Sequence, residues 1–257
     1  MRWGDPTSFR LRQALAATAK LKKAGAKVLE IGCGAGQFIR AIKKINPGWQ
    51  CYGCDISESA LGLARASGDG VVYELSESKK LPAADGSLDA ALIFDVLEHV
   101  EEPEALVAEV RRTLKRGGVF YCFVPCEGDV LSMWNWLRNL GVGTGLTKQY
   151  AGHINYFSRR SLLDLFKKYN FAVESIRYSE HILGQLVGIA AFVAMDRAAR
   201  IKKLSQLNNE TYFSGSGQSA AFKVLKKTVN AAVYLESALF GRFPSPNMHV
   251  TLKKFGD

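Results

Sequence analysis

Residues 27 to 38 read KVLEIGCGAGQF, and no other stretch restricts the fold as tightly. Val28, Leu29 and Ile31 are the β-branched and apolar residues of a buried strand. Gly32, Gly34 and Gly36 interrupt it, and Phe38, Ile39 and Ile42 resume apolar spacing at the period of a helix. A strand that turns through glycine into a helix is a ligand-binding device. Glycine lets the backbone approach a bound molecule closely, and the first helical turn offers free N–H groups.

The rest of the first half repeats the alternation. The pattern predicts a helix over about 8–23, strands at 27–31 and 50–54, a helix from 35 to 45 and another opening at Ser57 or Ser59. Further strands are expected at 71–75, 89–94 and 118–124, with a helix over 103–115. Strands alternating with helices imply parallel pairing through crossovers, hence an α/β, doubly wound sheet. The second half is less regular. SLLDLFKKY (161–169) reads as a serine-capped amphipathic helix before a strand at 171–178. Two apolar helices are predicted at 181–204 and 218–240, separated by a polar segment, 208–219, expected to be mobile; a last strand covers 247–254. There are no internal repeats.

Three known devices share a strand, a glycine turn and a helix. A P-loop needs Lys-Ser/Thr after its glycines, which this turn lacks. The dinucleotide fingerprint G-x-G-x-x-G places its third glycine one residue later than Gly36, and Glu30 would face an anionic pyrophosphate unfavourably. An acid there suits a ligand with cationic groups, such as the sulfonium and ammonium of S-adenosylmethionine. Asp55, 19 residues after Gly36 at the end of the second strand, is placed to accept both ribose hydroxyls; the plainer reading is a cap for the Ser57 helix.

Five motifs in order, VLEIGCGAG (28–36), GCDIS (53–57), LPAADGSLD (81–89), FDVLEHV (94–100) and LKRGGVF (114–120), resemble the class I S-adenosylmethionine-dependent methyltransferases over about residues 30–178. The resemblance extends to the small-molecule O-methyltransferase branch of ubiquinone biosynthesis. It implies a seven-stranded Rossmann-like sheet with the last strand antiparallel, plus helical insertions in the C-terminal half. It also implies a single methyltransferase domain over 1–257, with a cofactor core at 25–126 and substrate-side elaborations at 127–160 and 179–246. Carried over residue by residue, Glu30, Gly32, Cys33, Gly34 and Gly36 line the methionine end and Asp55 the ribose. Ile56 lies against the adenine, Glu77 and Ser78 sit near its amino group, and Asp95 completes the set.

Methyl transfer from an activated donor asks the protein to position the acceptor and, where needed, to remove its proton. Asp95, Glu98 and His99 stand at i, i+3 and i+4, so one helical turn would put them on one face. His153 follows in GHINYFS (152–158). His99, His153 and Asp95 are therefore the candidate catalytic residues. The same pattern resembles small-RNA 2′-O-methyltransferases that hold a divalent cation, which here would use Asp95, Glu98, His99 and His153. Asp95 is shorter than the Glu such a site favours, and the plainer reading has Glu98 and His99 packing beside the pocket. Cys126 after Pro125 invites comparison with nucleophilic cysteines, but that chemistry places its Pro-Cys after the fourth strand, where this chain reads FDVL. The [DN]-P-P-[FY] signature of base-amine methylation is absent from the same place.

Of the formal net charge of +10, residues 129–257 carry +9, from 17 Lys/Arg and 8 Asp/Glu. Their substrate-side segments are apolar: 127–150 holds Trp134 and Trp136, and HILGQLVGIAAFVAM (181–195) runs directly into Arg197, Arg200, Lys202 and Lys203. A lipid-like or quinone-like acceptor is expected, with 181–203 either resting on an anionic membrane surface or serving as a lid. Nucleic acid is the runner-up partner, since no aromatic residues interleave the basic ones in a defined motif. The 15-residue apolar run is shorter than the ~20 that span a bilayer, and MRWGDPTSFR lacks the apolar core of a secretory leader. A cytoplasmic protein, peripheral to the membrane if attached, is expected. The five cysteines, Cys51-x-x-Cys54 included, read as small buried hydrophobes. A dinucleotide oxidoreductase would need a Tyr-x-x-x-Lys that is not found, and an inactive binding module would have lost Asp55 or a turn glycine.

Overall fold

A computed structural model describes residues 6–21, 23–77, 79–143, 145–202 and 220–256, so Ser78, Lys203 and the 208–219 segment lie outside the described residues. Helix α1 (Pro6–Thr18) precedes β1 (Lys27–Ile31), α2 (Gln37–Ile45), β2 (Gln50–Asp55), α3 (Glu58–Arg65), β3 (Val72–Leu75), β4 (Leu88–Phe94), α4 (Pro103–Thr113) and β5 (Leu114–Pro125). Then come α5 (Met133–Asn139), α6 (Leu146–Ala151), α7 (Arg159–Lys168), β6 (Phe171–Ser179), α8 (Ile182–Lys202), α9 (Ala220–Phe240) and β7 (Asn247–Lys254).

The seven strands form one sheet in the order β3-β2-β1-β4-β5-β7-β6. Pairings from β3 to β5 are parallel, and β7 runs antiparallel to both β5 and β6. The chain winds outward in one direction from β1 and in the other from β4. Doubly wound sheets bind ligands at the carboxyl ends of the strands beside such a switch point.

Strand periodicity builds a core on each face. On β5, Phe120, Cys122 and Val124 point to one side, with Leu106, Val110 and Phe166 of α4 and α7. Val119, Tyr121 and Phe123 point to the other, with Ala14, Ile39, Ile42 and Leu61 of α1, α2 and α3. Fully burying Ile39 and Ile42 contributes roughly 1.5–3 kcal/mol each and fixes α2 on the sheet, which in turn fixes the glycine turn.

The structure departs from the sequence reading in several places, and α1 ends at Thr18 rather than near 23. β5 begins at Leu114, because the chain before Gly117-Gly118 also pairs with β4, through Leu114 opposite Leu88 and a register shift before Ala90. α7 begins at Arg159, capped by Ser158, and Ser161 is the N3 partner that completes a capping box. α8 matches the expected 181–204 helix, but where the 15-residue apolar run reads as too short to span a bilayer, Ile182–Arg200 is long and apolar enough to cross a membrane by length and composition, with 22% of that window buried.

Candidate active site

Two cavities meet at the carboxyl ends of β1, β4 and β5. The smaller, of about 210 Å³, is lined by Gly32, Asp55, Ile56, Glu77 and Asp95 together with Ile31, Leu81, Val96 and Leu106. Carboxylates on one wall and aliphatic side chains on the other fit a nucleoside, whose sugar hydroxyls need acceptors and whose base needs apolar contact. Ile56, 75% exposed, is an apolar plate left bare by the protein itself.

The glycine turn and Asp55 are built together. Asp55 Oδ2 accepts the Gly34 N–H at 2.7 Å and Oδ1 accepts the Ser57 N–H at 2.9 Å, so Asp55 braces the turn as well as facing the cleft. Ser57 is the side-chain cap of α3, accepting from the Ala60 N–H. Two of the glycines are demanded by packing: a Cβ on Gly32 would lie 2.4 Å from Val96 Cγ2, and one on Gly36 2.4 Å from Tyr73 Oη. Gly34, at φ +50°, has open space before it.

Glu30 is placed differently from the sequence reading. It is fully buried, its Oε2 accepts the Ile39 N–H at 2.7 Å in the first turn of α2, and it lines neither cavity. Burial, opposed by that hydrogen bond, lifts its carboxyl to about 8. Its part is thus to hold α2, not to present a charge to a ligand. Cys33 is likewise buried, its Sγ 2.8 Å from where a Cβ on Gly53 would sit. All five cysteines are free and buried, and burial pushes the Cys126 thiol up, so Cys126 lacks the thiolate a nucleophile needs.

The larger cavity, about 570 Å³, adjoins the first through Asp95 and His99, which line both. Its floor is Arg10, Pro125, Cys126, Glu127 and His153; Trp134 and Tyr150 form one wall and Gly184, Gln185, Gly188, Ala191 and Phe192 of α8 another. The rings of His99 and His153 stand edge to face with centroids 4.9 Å apart. His99 Nδ1 lies 3.2 Å from the Gly152 carbonyl oxygen, which can only accept, so the proton sits on Nδ1 and Nε2 carries the lone pair. Burial and the neighbouring His153 lower the His99 pKa, keeping it neutral. His153 donates from Nδ1 to Glu127 Oε1 at 2.8 Å, which likewise leaves Nε2 free. Glu127 is buried and also accepts from the Thr147 hydroxyl at 2.9 Å and from Arg138 at 3.3 Å.

Glu98 is wholly buried, both carboxylate oxygens lack a hydrogen-bond partner, and burial beside Asp95 raises its pKa well above the usual range. Ligand atoms of Glu98, His99 and His153 lie within 4.8 Å of one another. Asp95 stands outside that group: it sits at φ +51° and is ion-paired to Arg10. The four-residue alternative for a cation, set beside the plainer reading without one, is therefore narrowed to three, because a guanidinium already neutralises the fourth. Glu127 and Arg10 were not singled out from sequence. Glu127 carried a signal, an acid just past the carboxyl end of β5; Arg10, 85 residues from Asp95 along the chain, carried none.

Residues 7–176 match the family model described as a methyltransferase domain. The ubiquinone biosynthesis O-methyltransferase of Thiobacillus denitrificans is 37% identical over 136 residues, covering 47% of this chain and 56% of that protein. The ubiquinone/menaquinone biosynthesis C-methyltransferase of Desulfotalea psychrophila is 26% identical over 175 residues, 62% of this chain and 70% of that one. The chain spans about half the length of the first of these. Among solved structures, a sarcosine dimethylglycine methyltransferase, so titled, from Galdieria sulphuraria superposes with a TM-score of 0.62 at 17% identity, covering 97% of this chain and 85% of that one; at that identity the likeness speaks for the fold alone.

Proposed function

This chain belongs to the methyltransferase-domain family, and on that premise we propose that it transfers a methyl group from S-adenosylmethionine to a hydroxyl oxygen of a small, apolar or lipid-linked acceptor. The observation that carries the reading is the junction of the two cavities at Asp95 and His99, where a donor in the smaller meets an acceptor in the larger. The cofactor supplies an activated methyl group on its sulfonium. Asp55 accepts the ribose hydroxyls, Ile56 covers the base, Glu77 lies near its amino group, and the Gly34 turn leaves room for the methionine end.

On the acceptor side, the His153–Glu127 pair is a carboxylate-oriented imidazole whose free Nε2 takes the hydroxyl proton, while Glu127 stabilises the imidazolium. Neutral His99 is the second base at the junction. Removal of a proton is what O-methylation asks of a protein, and the O-methyltransferase relative supports that atom over carbon. A second reading uses the same lone pairs as ligands instead of bases: Glu98, His99 and His153 fit a divalent cation, which would give the orphaned carboxyl of Glu98 a partner while Glu127 holds the His153 ring behind it. Such a cation would depress the pKa of the acceptor hydroxyl. Residues 25–126 then act as the cofactor core, and 127–160 and 179–246 as the acceptor side of one domain.

The test is incubation with host-cell lysate and S-adenosylmethionine labelled in its methyl group, with the Asp55→Ala variant as blank. Label is counted in the organic extract, aqueous metabolites, RNA and protein. Label in the organic extract is expected; label in RNA or protein would reassign the basic half to a macromolecular acceptor.

A further inference from the structure

α8 has two opposed faces. One, through Gly184, Gln185, Gly188, Ala191 and Phe192, walls the acceptor cavity. The other carries Ile182, Leu183, Leu186, Ala190, Val193 and Ala194 at i, i+4 and i+3 spacing, all exposed, and the same stripe continues into exposed Arg197 and Arg200. Neighbouring elements extend it. At the start of α8, the rings of His181, Phe240 and Phe243 lie 6.2 Å apart in sequence, with Phe240 and Phe243 49% and 62% exposed. On the cavity side, α5 is tied to α8 by the Met133 N–H on Gln185 at 2.7 Å and by Trp134 edge-on to Phe192 at 5.4 Å, which leaves the opposite stripe of α8 facing outward.

We infer that this exposed apolar face of α8 docks on an anionic lipid bilayer, with α8 lying in the interface and the acceptor cavity on its inner side. Charge selects the occupant. Between residues 181 and 245 there are eight Lys/Arg and three Asp/Glu. Of those charges, Asp196 and Arg200 neutralise each other and Glu236 is committed to the N–H groups of Leu183 and Gly184 that open α8, which leaves the excess basic, with exposed Arg197 on the stripe itself. A second copy would bring like charge against this rim, whereas anionic headgroups meet it with opposite charge. The helix cannot span the bilayer while its other face walls the cavity and is pinned by these contacts, so it lies flat. The consequence for the acceptor, that it reaches His153 from the bilayer, rests on the function proposed above; the docking itself does not.

The test is co-sedimentation of the full chain with vesicles of phosphatidylcholine alone and mixed with phosphatidylglycerol, at low and high salt. Wild type should favour the anionic vesicles and lose that preference in salt. Leu186→Glu/Val193→Glu, both at exposed positions, should weaken binding roughly tenfold or more, and Arg197→Gln/Arg200→Gln roughly 30-fold, with circular dichroism unchanged. Binding by both variants equal to that of wild type, no binding to either vesicle, or a wild-type dimer that Leu186→Glu/Val193→Glu makes monomeric would each overturn the proposal. Vesicle binding without methyl transfer would instead sink the proposed activity and leave the docking surface standing.

Discussion

Asp55→Ala tests the cofactor cleft most directly. Each Asp55 oxygen spends one lone pair on a backbone N–H, Gly34 at 2.7 Å and Ser57 at 2.9 Å, and keeps the other for a ribose hydroxyl. Hydrogen bonds to a charged acceptor contribute about 1.5–3 kcal/mol each, so the two hydroxyls together account for about 3–6 kcal/mol. At tenfold per 1.4 kcal/mol, the dissociation constant for S-adenosylhomocysteine should rise about 10²- to 10⁴-fold, toward the lower end because the cleft is open to water. The ligand-free protein should also melt a few degrees lower, since the Gly34 turn loses its brace; for a chain of this size 1 kcal/mol corresponds to about 2–4 °C. Isothermal titration calorimetry and a thermal scan read the two effects separately. Asp55→Asn keeps one acceptor but turns an amide donor toward a backbone donor, so it should fall between. An affinity within about threefold of wild type would refute the assignment of Asp55 to the ribose.

The acceptor side and the buried acids yield four more expectations. His153→Ala should lower kcat by about 10²- to 10⁴-fold with cofactor affinity preserved, and His99→Ala by less; unchanged turnover in both would remove the general-base reading, and loss of wild-type turnover in a chelator, restored by added metal, would favour the cation. The Glu30 carboxyl is held at about 8 in the fold against an ordinary 4.5, so the folded state binds this proton more tightly and stability should fall as pH rises from 4.5 to 8. The cost is on the order of 3 kcal/mol by pH 7, and urea titrations of Glu30→Gln should show a flatter slope, Glu98 supplying the remainder in the same direction. Cys126→Ala should retain methyl transfer, because a buried thiol with a raised pKa is no nucleophile. Arg10→Ala should cost roughly 2–3 kcal/mol in denaturant unfolding, less than a fully buried pair because a fifth of the side chain is exposed.

What the sequence made legible was whatever local periodicity encodes. Val28, Leu29 and Ile31 announced β1, and Ile39 and Ile42 the face of α2; the motif order gave the switch point, and with it the place of Asp55, Ile56, Glu77 and Asp95. The reading went astray where a side chain serves a neighbour distant in sequence or a backbone group. Glu30 looked like a ligand for a cation, yet its nearest need is the N–H of Ile39, nine residues on. Asp95, a candidate catalytic residue and the fourth member of the cation alternative, is instead paired with Arg10 from α1. Glu127 passed unnoticed because its role depends on Thr147 and His153 folding back over it. Spacing along one helix says nothing of such partners.

Arg10 also explains a backbone feature that has no local cause. Asp95 and Glu180, the residues that follow β4 and β6, both adopt left-handed φ values, +51° and +52°, that non-glycine residues reach only at a cost of about 1–2 kcal/mol each. Both carboxylates turn toward the same guanidinium: Arg10 pairs with Asp95, reaches Glu180 at 3.2 Å, and lies 4.1 Å above the Phe123 ring. Asn247 at the start of β7 completes the group, donating to Glu180 at 3.3 Å. A single cation from α1 thus ties the ends of β4, β6 and β7 together at the lining of the larger cavity. The strain is tolerated because leaving either carboxylate to a relaxed backbone would carry it away from its only cation among the described residues. The arrangement sets the geometry of Asp95, the one acid common to both cavities, from an element that contributes nothing else to the cofactor cleft. That is why a helix outside the glycine motif belongs to the site.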